Sequence, residues 1–138
     1  MKTVHPYLNF DGNTEEAFNF YRSVFGGELT DIARYRDMGG AEMGVPEDEL
    51  DLVANMGLPL GNGIVLMGTD VVSTWHKLNK GNNTFIMLDC ESAEEAERLH
   101  RALSDGGRVD MELQKTDWAK LYSSIVDRFG VQWMVILE

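Results

Sequence analysis

In the opening stretch VHPYLNF, His5, Tyr7 and Asn9 alternate with Val4, Pro6, Leu8 and Phe10, which puts an imidazole, a phenol and a carboxamide on one side of an extended segment. Those three groups can hold a metal ion, exchange hydrogen bonds with a ligand, or move a proton. His5 alone also fits a structural role, so a binding histidine and a satisfied structural one both stand at this stage. The other two histidines read as solvent-facing, His76 in a connecting stretch after Trp75 and His100 among charged residues of a helical pattern. Ser123-Ser124 has no neighbouring His and Asp pattern to make either hydroxyl a nucleophile. Gly26-Gly27 and Gly106-Gly107 follow helical stretches instead of opening them, so they are helix stops and not a phosphate-cradling loop. Cys90 is the only cysteine, which excludes an intrachain disulfide and a thiolate metal cluster within one chain. With no basic neighbour to activate it, Cys90 reads as a small buried hydrophobe on a strand.

The chain that positions these residues has 138 of them, the size of a single ordinary domain. Its 43% hydrophobic and 25% charged content is that of a soluble globular protein. A net charge of −11, with 12 scattered Lys and Arg, opposes binding to a phosphate backbone, so no nucleic-acid partner is expected. MKTVHPYLNF lacks the basic and apolar regions of a signal peptide, and IVLM, the longest apolar run, is far too short to cross a bilayer. The expected location is the cytoplasm, with no membrane partner.

The opening strand leads to a helix that starts near Asn13 and Glu16, with Ala17, Phe20, Tyr21, Val24 and Phe25 at helical spacing. ELTDIARYR follows as a strand. Residues 37–51 carry glycines, Pro46 and a run of acids with no apolar period, and read as a long mobile loop of the kind that forms lids or stays disordered. LVANMGLPL and GIVLMGT form a hairpin about Gly61-Asn62-Gly63. After a connector at about 70–83 the order returns: strand TFIMLDC, a helix opened by a Ser92–Glu95 capping box with Ala96, Leu99 and Leu103 on one face, strand VDMEL, then a closing hairpin about DRFG.

Glu15-Glu16-Ala17 recurs as Glu94-Glu95-Ala96, and the first glycine pair as the second, at offsets of 79 and 80. The expectation is one α+β domain over 1–138, made of two βαβββ modules at about 1–70 and 83–138, whose strands form a curved mixed sheet around a cavity.

YLNFDGNTEEAFNFYRSVFGGEL, LMGTD and the closing DRFGVQWMVIL together resemble the PhnB-like group of the vicinal oxygen chelate superfamily, over essentially the whole chain. That superfamily includes glyoxalase I, extradiol dioxygenases, fosfomycin resistance enzymes and bleomycin resistance proteins. The resemblance implies the paired βαβββ fold (the glyoxalase/bleomycin resistance/dioxygenase fold), a homodimer, and, in the enzymatic members, a divalent metal held from the first and last strand of each half. Here those positions carry His5, Met67, Phe85 (or Thr84 in a register shifted by one) and Met134. A thioether is a soft, weak ligand and a phenyl ring is none, so a hard divalent ion finds one protein ligand instead of three or four. Asp70 has the wrong strand parity to help, and Glu138 lies about 13 Å along the strand from Met134. No metal site and no cofactor are therefore expected, with His5 the sole ligand if a metal is present.

If His5 faces the cavity, parity brings Tyr7, Asn9, Val65, Met67, Thr69, Phe85, Met87, Gln132 and Met134 with it. That lining is mostly apolar with a few polar groups, the character of a small-molecule pocket, and also of a core that simply fills the concave side. Trp118 and Tyr122 offer aromatic walls or dimer contacts. The expected function is that of a metal-free protein binding a small organic ligand. The alternative is a metal-dependent lyase, isomerase or dioxygenase in which His5 holds the ion.

Overall fold

A computed structural model of the chain describes residues 1–138, which divide into two compact units, 1–79 and 80–138. The first contains β1 (Tyr7–Phe10), α1 (Thr14–Phe25), β2 (Thr30–Arg34), β3 (Val53–Gly61) and β4 (Ile64–Asp70). Its strands form one mixed sheet in the order β1-β4-β3-β2, with β1 parallel to β4 and the other pairs antiparallel. The β3–β4 hairpin closes through Asn62 at φ 54 and Gly63 at φ 77, left-handed values that suit a tight turn to the strand twist.

The face of α1 that meets the sheet differs slightly from the one read in the sequence. Ala17, Tyr21 and Val24 are buried as expected, but Phe18 is wholly buried, whereas Phe20 and Phe25 are only partly covered. Phe18 packs edge-on against Phe10 and Tyr21, with ring centroids 6.2 and 5.6 Å away. Its place exists because Gly68 has no side chain: a Cβ there would lie 2.6 Å from Phe18 Cε1. Burying a phenylalanine in this way is worth about 2–3 kcal/mol.

Asn13 stands at the helix start but makes no side-chain capping bond. The carboxylate of Asp70, at the far end of β4, takes that role. It accepts hydrogen bonds from the Thr14 backbone N–H at 3.0 Å, the Thr14 hydroxyl at 2.6 Å and the Val53 N–H at 2.9 Å. A negative group at a helix N-terminus satisfies free N–H groups and meets the positive end of the helix dipole.

The reading of residues 37–51 as a mobile loop is corrected. The segment opens with a short 3-10 turn over Tyr35–Met38 and contains another over Glu47–Glu49. Val45 and Leu50 are buried in a cluster with Tyr35 and Val72, against which Leu52 and Ala54 pack. Glu49 fastens the segment by accepting from the Ser73 N–H at 2.9 Å and the Ser73 hydroxyl at 2.5 Å, bonds that hold its carboxyl below the usual range. Its apolar residues are spaced irregularly, so no helical or strand period announces their burial.

The second unit repeats the order with β5 (Ile86–Asp89), α2 (Ala93–Ser104), β6 (Arg108–Gln114), β7 (Leu121–Val126) and β8 (Gln132–Leu137). Its sheet runs β5-β8-β7-β6, the same topology. The fold class is thus α+β, two four-stranded mixed sheets each with one helix. Ser92 Oγ accepts from the Glu95 N–H at 3.1 Å, and Glu95 reaches back to the Glu91 N–H at 2.9 Å, a capping box displaced by one residue. Ala96, Leu99 and Leu103 are buried on the side of α2 that packs on β7 and β8, where Ile125, Trp133 and Val135 are fully enclosed. No helix is long and apolar enough to cross a membrane.

Cys90 lies buried at the end of β5, and burial, with Glu95 and Asp89 nearby, pushes its thiol up to about 11. At pH 8 the thiolate fraction is about two orders of magnitude below that of an ordinary cysteine. Labelling by iodoacetamide is expected to be slower than in urea-unfolded protein by about that factor. Comparable rates in the two states would contradict the burial.

Candidate ligand-binding faces

In each unit the helix covers one side of the sheet, and the residues singled out from the sequence lie on the other. In the first unit β1 and β4 run side by side with Tyr7 paired to Met67 and Asn9 to Thr69. Parity separates this face from the buried one: Leu66, Gly68 and Asp70 are covered, while Val65, Met67 and Thr69 between them are only partly so. Met67 also pairs with Gly57 on β3, over which the Thr30 and Val65 side chains close, each 3.1 Å from where a Cβ would stand. His5, Tyr7, Asn9, Met67 and Thr69 therefore share one surface. Asp70 does not join it.

The polar groups of this surface are held by bonds to the backbone and to one another. Val65 donates its N–H to His5 Nδ1 at 2.9 Å. Tyr7 donates its hydroxyl to Asn55 Oδ1 at 2.7 Å, and Asn55 Nδ2 donates to the Asp31 carbonyl at 3.0 Å. Tyr35 donates to the Asp70 carbonyl at 2.7 Å and lies 3.0 Å from the Thr69 hydroxyl. Partial burial, and secondarily Tyr35, raises the Tyr7 phenol above its ordinary value. Asn55 and Tyr35 were not foreseen as members of this surface. The signal for Asn55 is its two-residue step from Gly57 and Pro59 along β3, which parity places on the same side.

In the second unit Met87 pairs with Met134 and Met134 with Ser124, while Ser124 pairs with Met111. One row across the sheet thus carries three thioethers. Phe85, just before β5, and Met87 are exposed, and Gln132 donates its side-chain N–H to the Thr84 carbonyl at 2.8 Å. Trp118 stands edge-on to Tyr122 with centroids 5.6 Å apart. Of the two candidates at this end of β5, Phe85 has the parity of Met87 and so of this face, and Thr84 that of Ile86.

A resident metal does not fit the donors present. No group of three or more His, Cys, Asp or Glu side chains is placed to hold an ion. Because His5 Nδ1 accepts from Val65, the neutral ring carries its proton on Nε2, and its one basic lone pair is already used. The corresponding positions Met67, Phe85 and Met134 supply sulfur and ring carbon, to which hard divalent ions bind weakly or not at all.

His100 is corrected from solvent-facing to mostly covered, its side chain 13% exposed. Its Nδ1 is 2.9 Å from Ser123 Oγ and its Nε2 3.5 Å from Glu112. Position 100, four after Ala96 and three before Leu103, lies beside the apolar stripe, and that spacing was the available signal. The trio has the members of a nucleophilic triad, but Ser123 is entirely buried on the helix side of the sheet. No substrate reaches its hydroxyl there, and the contact instead ties α2 to β6 and β7.

Comparison with known proteins gives a consistent family. Residues 3–135 match the model of the Glyoxalase/Bleomycin resistance protein/Dioxygenase superfamily. Protein YjdN of Escherichia coli (strain K12) is 26% identical over 144 residues, covering 96% of this chain and 92% of that protein. The crystal structure of protein PA1353 from Pseudomonas aeruginosa is similar at a TM-score of 0.84 and 34% identity, over 99% of this chain and 97% of that one. The PhnB protein from Bacillus cereus is similar at 0.79 and 28% identity, over 99% of each chain.

Proposed function

The chain belongs to the Glyoxalase/Bleomycin resistance protein/Dioxygenase superfamily, and on that premise we propose that it is a PhnB-like protein that binds a small organic ligand and works without a resident catalytic metal. Membership fixes the fold and leaves the chemistry to the site, since one fold hosts both enzymes and binders. The observation that carries the reading is the donor set: one imidazole whose free lone pair is engaged by Val65, with Met67, Phe85 and Met134 at the corresponding positions. The same residues suit a ligand. Exposed methionine and aromatic side chains adapt to varied apolar shapes, and the few fixed polar groups orient what they hold. The reading includes a homodimer, as the family resemblance implies, and a cytoplasmic location, as the sequence pattern suggests.

The test uses protein labelled with carbon-13 on its eight methionine methyl groups. Titration with Zn, Ni, Mn or Fe(II) salts is expected to leave the resonances of Met67, Met87 and Met134 unmoved and to show no stoichiometric binding by calorimetry. A fragment library is expected to yield aromatic compounds that shift those same resonances saturably. One equivalent of tightly bound ion, lost in His5→Ala, would establish the metal-dependent lyase, isomerase or dioxygenase instead.

A further inference from the structure

Backbone groups fix which way the hydrogen bonds of His5, Tyr7 and Asn55 point on the first unit's open sheet face. The Asp31 carbonyl receives Asn55 Nδ2, so the amide cannot be turned over and its oxygen must face Tyr7. Tyr7 therefore spends its proton on Asn55, and its oxygen is left with lone pairs only. Asp31 can offer that carbonyl because it sits at φ 53 in an irregularity of the β2–β3 pairing, where a bulge turns the backbone out of the ladder. At the other end of the strand, the Val65 N–H occupies His5 Nδ1 and leaves Nε2–H as a donor. Tyr35 likewise spends its proton on the Asp70 carbonyl.

We propose that this face selects a ligand with a hydrogen-bond acceptor at one end, taken by His5 Nε2–H, and a donor at the other, taken by the Tyr7 and Asn55 oxygens. The inference rests on the small-molecule reading above and adds the polarity and spacing of the ligand to it. His5 and Tyr7 are alternate residues of one extended segment, so their side chains spring from points about 6.6 Å apart. Met67, paired with Tyr7, supplies apolar cover for the body between the two ends. A compact molecule with a carbonyl at one end and an amino, amide or hydroxyl group at the other meets all three. A molecule with a carboxylate at each end does not, because it brings an acceptor against the Tyr7 and Asn55 lone pairs. The raised Tyr7 phenol keeps its proton through the neutral range, so the pattern does not invert there.

The probes are 4-aminoacetophenone, with carbonyl and amino groups at opposite ends of one ring, and its one-ended relatives acetophenone and aniline. Affinities are read from the Met67 methyl resonance. Each end is one hydrogen bond, so 4-aminoacetophenone is expected to bind about three- to tenfold more tightly than either relative. Tyr7→Phe combined with Asn55→Ala, which removes both acceptor oxygens, is expected to remove its advantage over acetophenone while keeping the one over aniline, and His5→Phe the reverse. The ranking on the wild-type protein decides the matter even where a variant fails to fold. Equal affinities, or tighter binding of the dicarboxylate terephthalate, overturn the polarity and leave the small-molecule reading intact. Failure of all these probes to move any methionine resonance at millimolar concentration overturns both.

Discussion

Asp70→Ala is expected to destabilise the protein by about 3–5 kcal/mol, as much as truncating a large core side chain. The carboxylate is buried, and its three donors are the Thr14 N–H, the Thr14 hydroxyl and the Val53 N–H. Removing the acceptor strands two backbone N–H groups where water does not reach, and each unsatisfied donor costs about 1–3 kcal/mol. The helix also loses the negative group at its positive end, worth up to about 1 kcal/mol more. Urea denaturation measures the loss, which also corresponds to a fall in Tm of about 4 °C for each kcal/mol at this chain length. Asp70→Asn keeps one oxygen and is expected to lose about half as much. Asn13→Ala, at the position a sequence reader would choose as the cap, is expected to change stability by less than about 0.5 kcal/mol, because Asn13 makes no side-chain capping bond. If Asn13→Ala costs as much as Asp70→Ala, the cap has been assigned to the wrong residue.

That pair of residues shows where sequence reading reaches its limit. The capping box at Ser92 is legible because its partners lie three or four positions apart, and the turn at Asn62-Gly63 because both left-handed residues are adjacent. The strand parities and the α2 face were legible for a similar reason, since periodicity is a local property, whereas on α1 the reading took Phe20 and Phe25 and missed the wholly buried Phe18. Asp70 and Thr14 are 56 positions apart, and no local pattern ties a carboxylate at a strand end to a helix N-terminus so far back. The packed segment 37–51 escaped for a related reason: Val45 and Leu50 find Tyr35 and Val72 through chain reversal and not through a period.

The candidate site divides along the same line. Which residues share the open sheet faces followed from parity, and which of them stand where the family's enzymatic members hold a metal followed from the family resemblance. Which hydrogen-bonding atoms remain free did not. The state of His5 depends on a backbone N–H 60 positions away, and that of Tyr7 on Asn55, itself fixed by a carbonyl 24 positions back. A sequence lists donors and acceptors, whereas specificity belongs to those the fold has not already used.

Gly107→Ala is expected to cost about 3 kcal/mol, and Gly27→Ala only about 1–2, although the two glycines end duplicated GG pairs. Gly27 follows α1 at φ 85, and a Cβ there would meet nothing nearer than Leu58 Cδ1 at 3.8 Å. Its requirement is conformational, and Asn, which tolerates left-handed backbone, should recover part of the loss. Gly107 is required for space. A Cβ there would lie 2.2 Å from the Val126 carbonyl oxygen and 2.9 Å from the Asp127 backbone, atoms that cannot swing aside as a side-chain end can. Making room moves β6 away from β7 at the register Arg108–Val126 and loosens the turn that Asp127 holds through Phe129, Val131 and Trp133. Asn at position 107 is expected to be as damaging as Ala or worse, because more atoms enter the same gap. Denaturation midpoints of the four variants separate the two causes: rescue by Asn at 27 and none at 107 is the expected pattern. A Gly107→Ala midpoint equal to that of Gly27→Ala would show that the β6–β7 approach is looser than 2.2 Å implies.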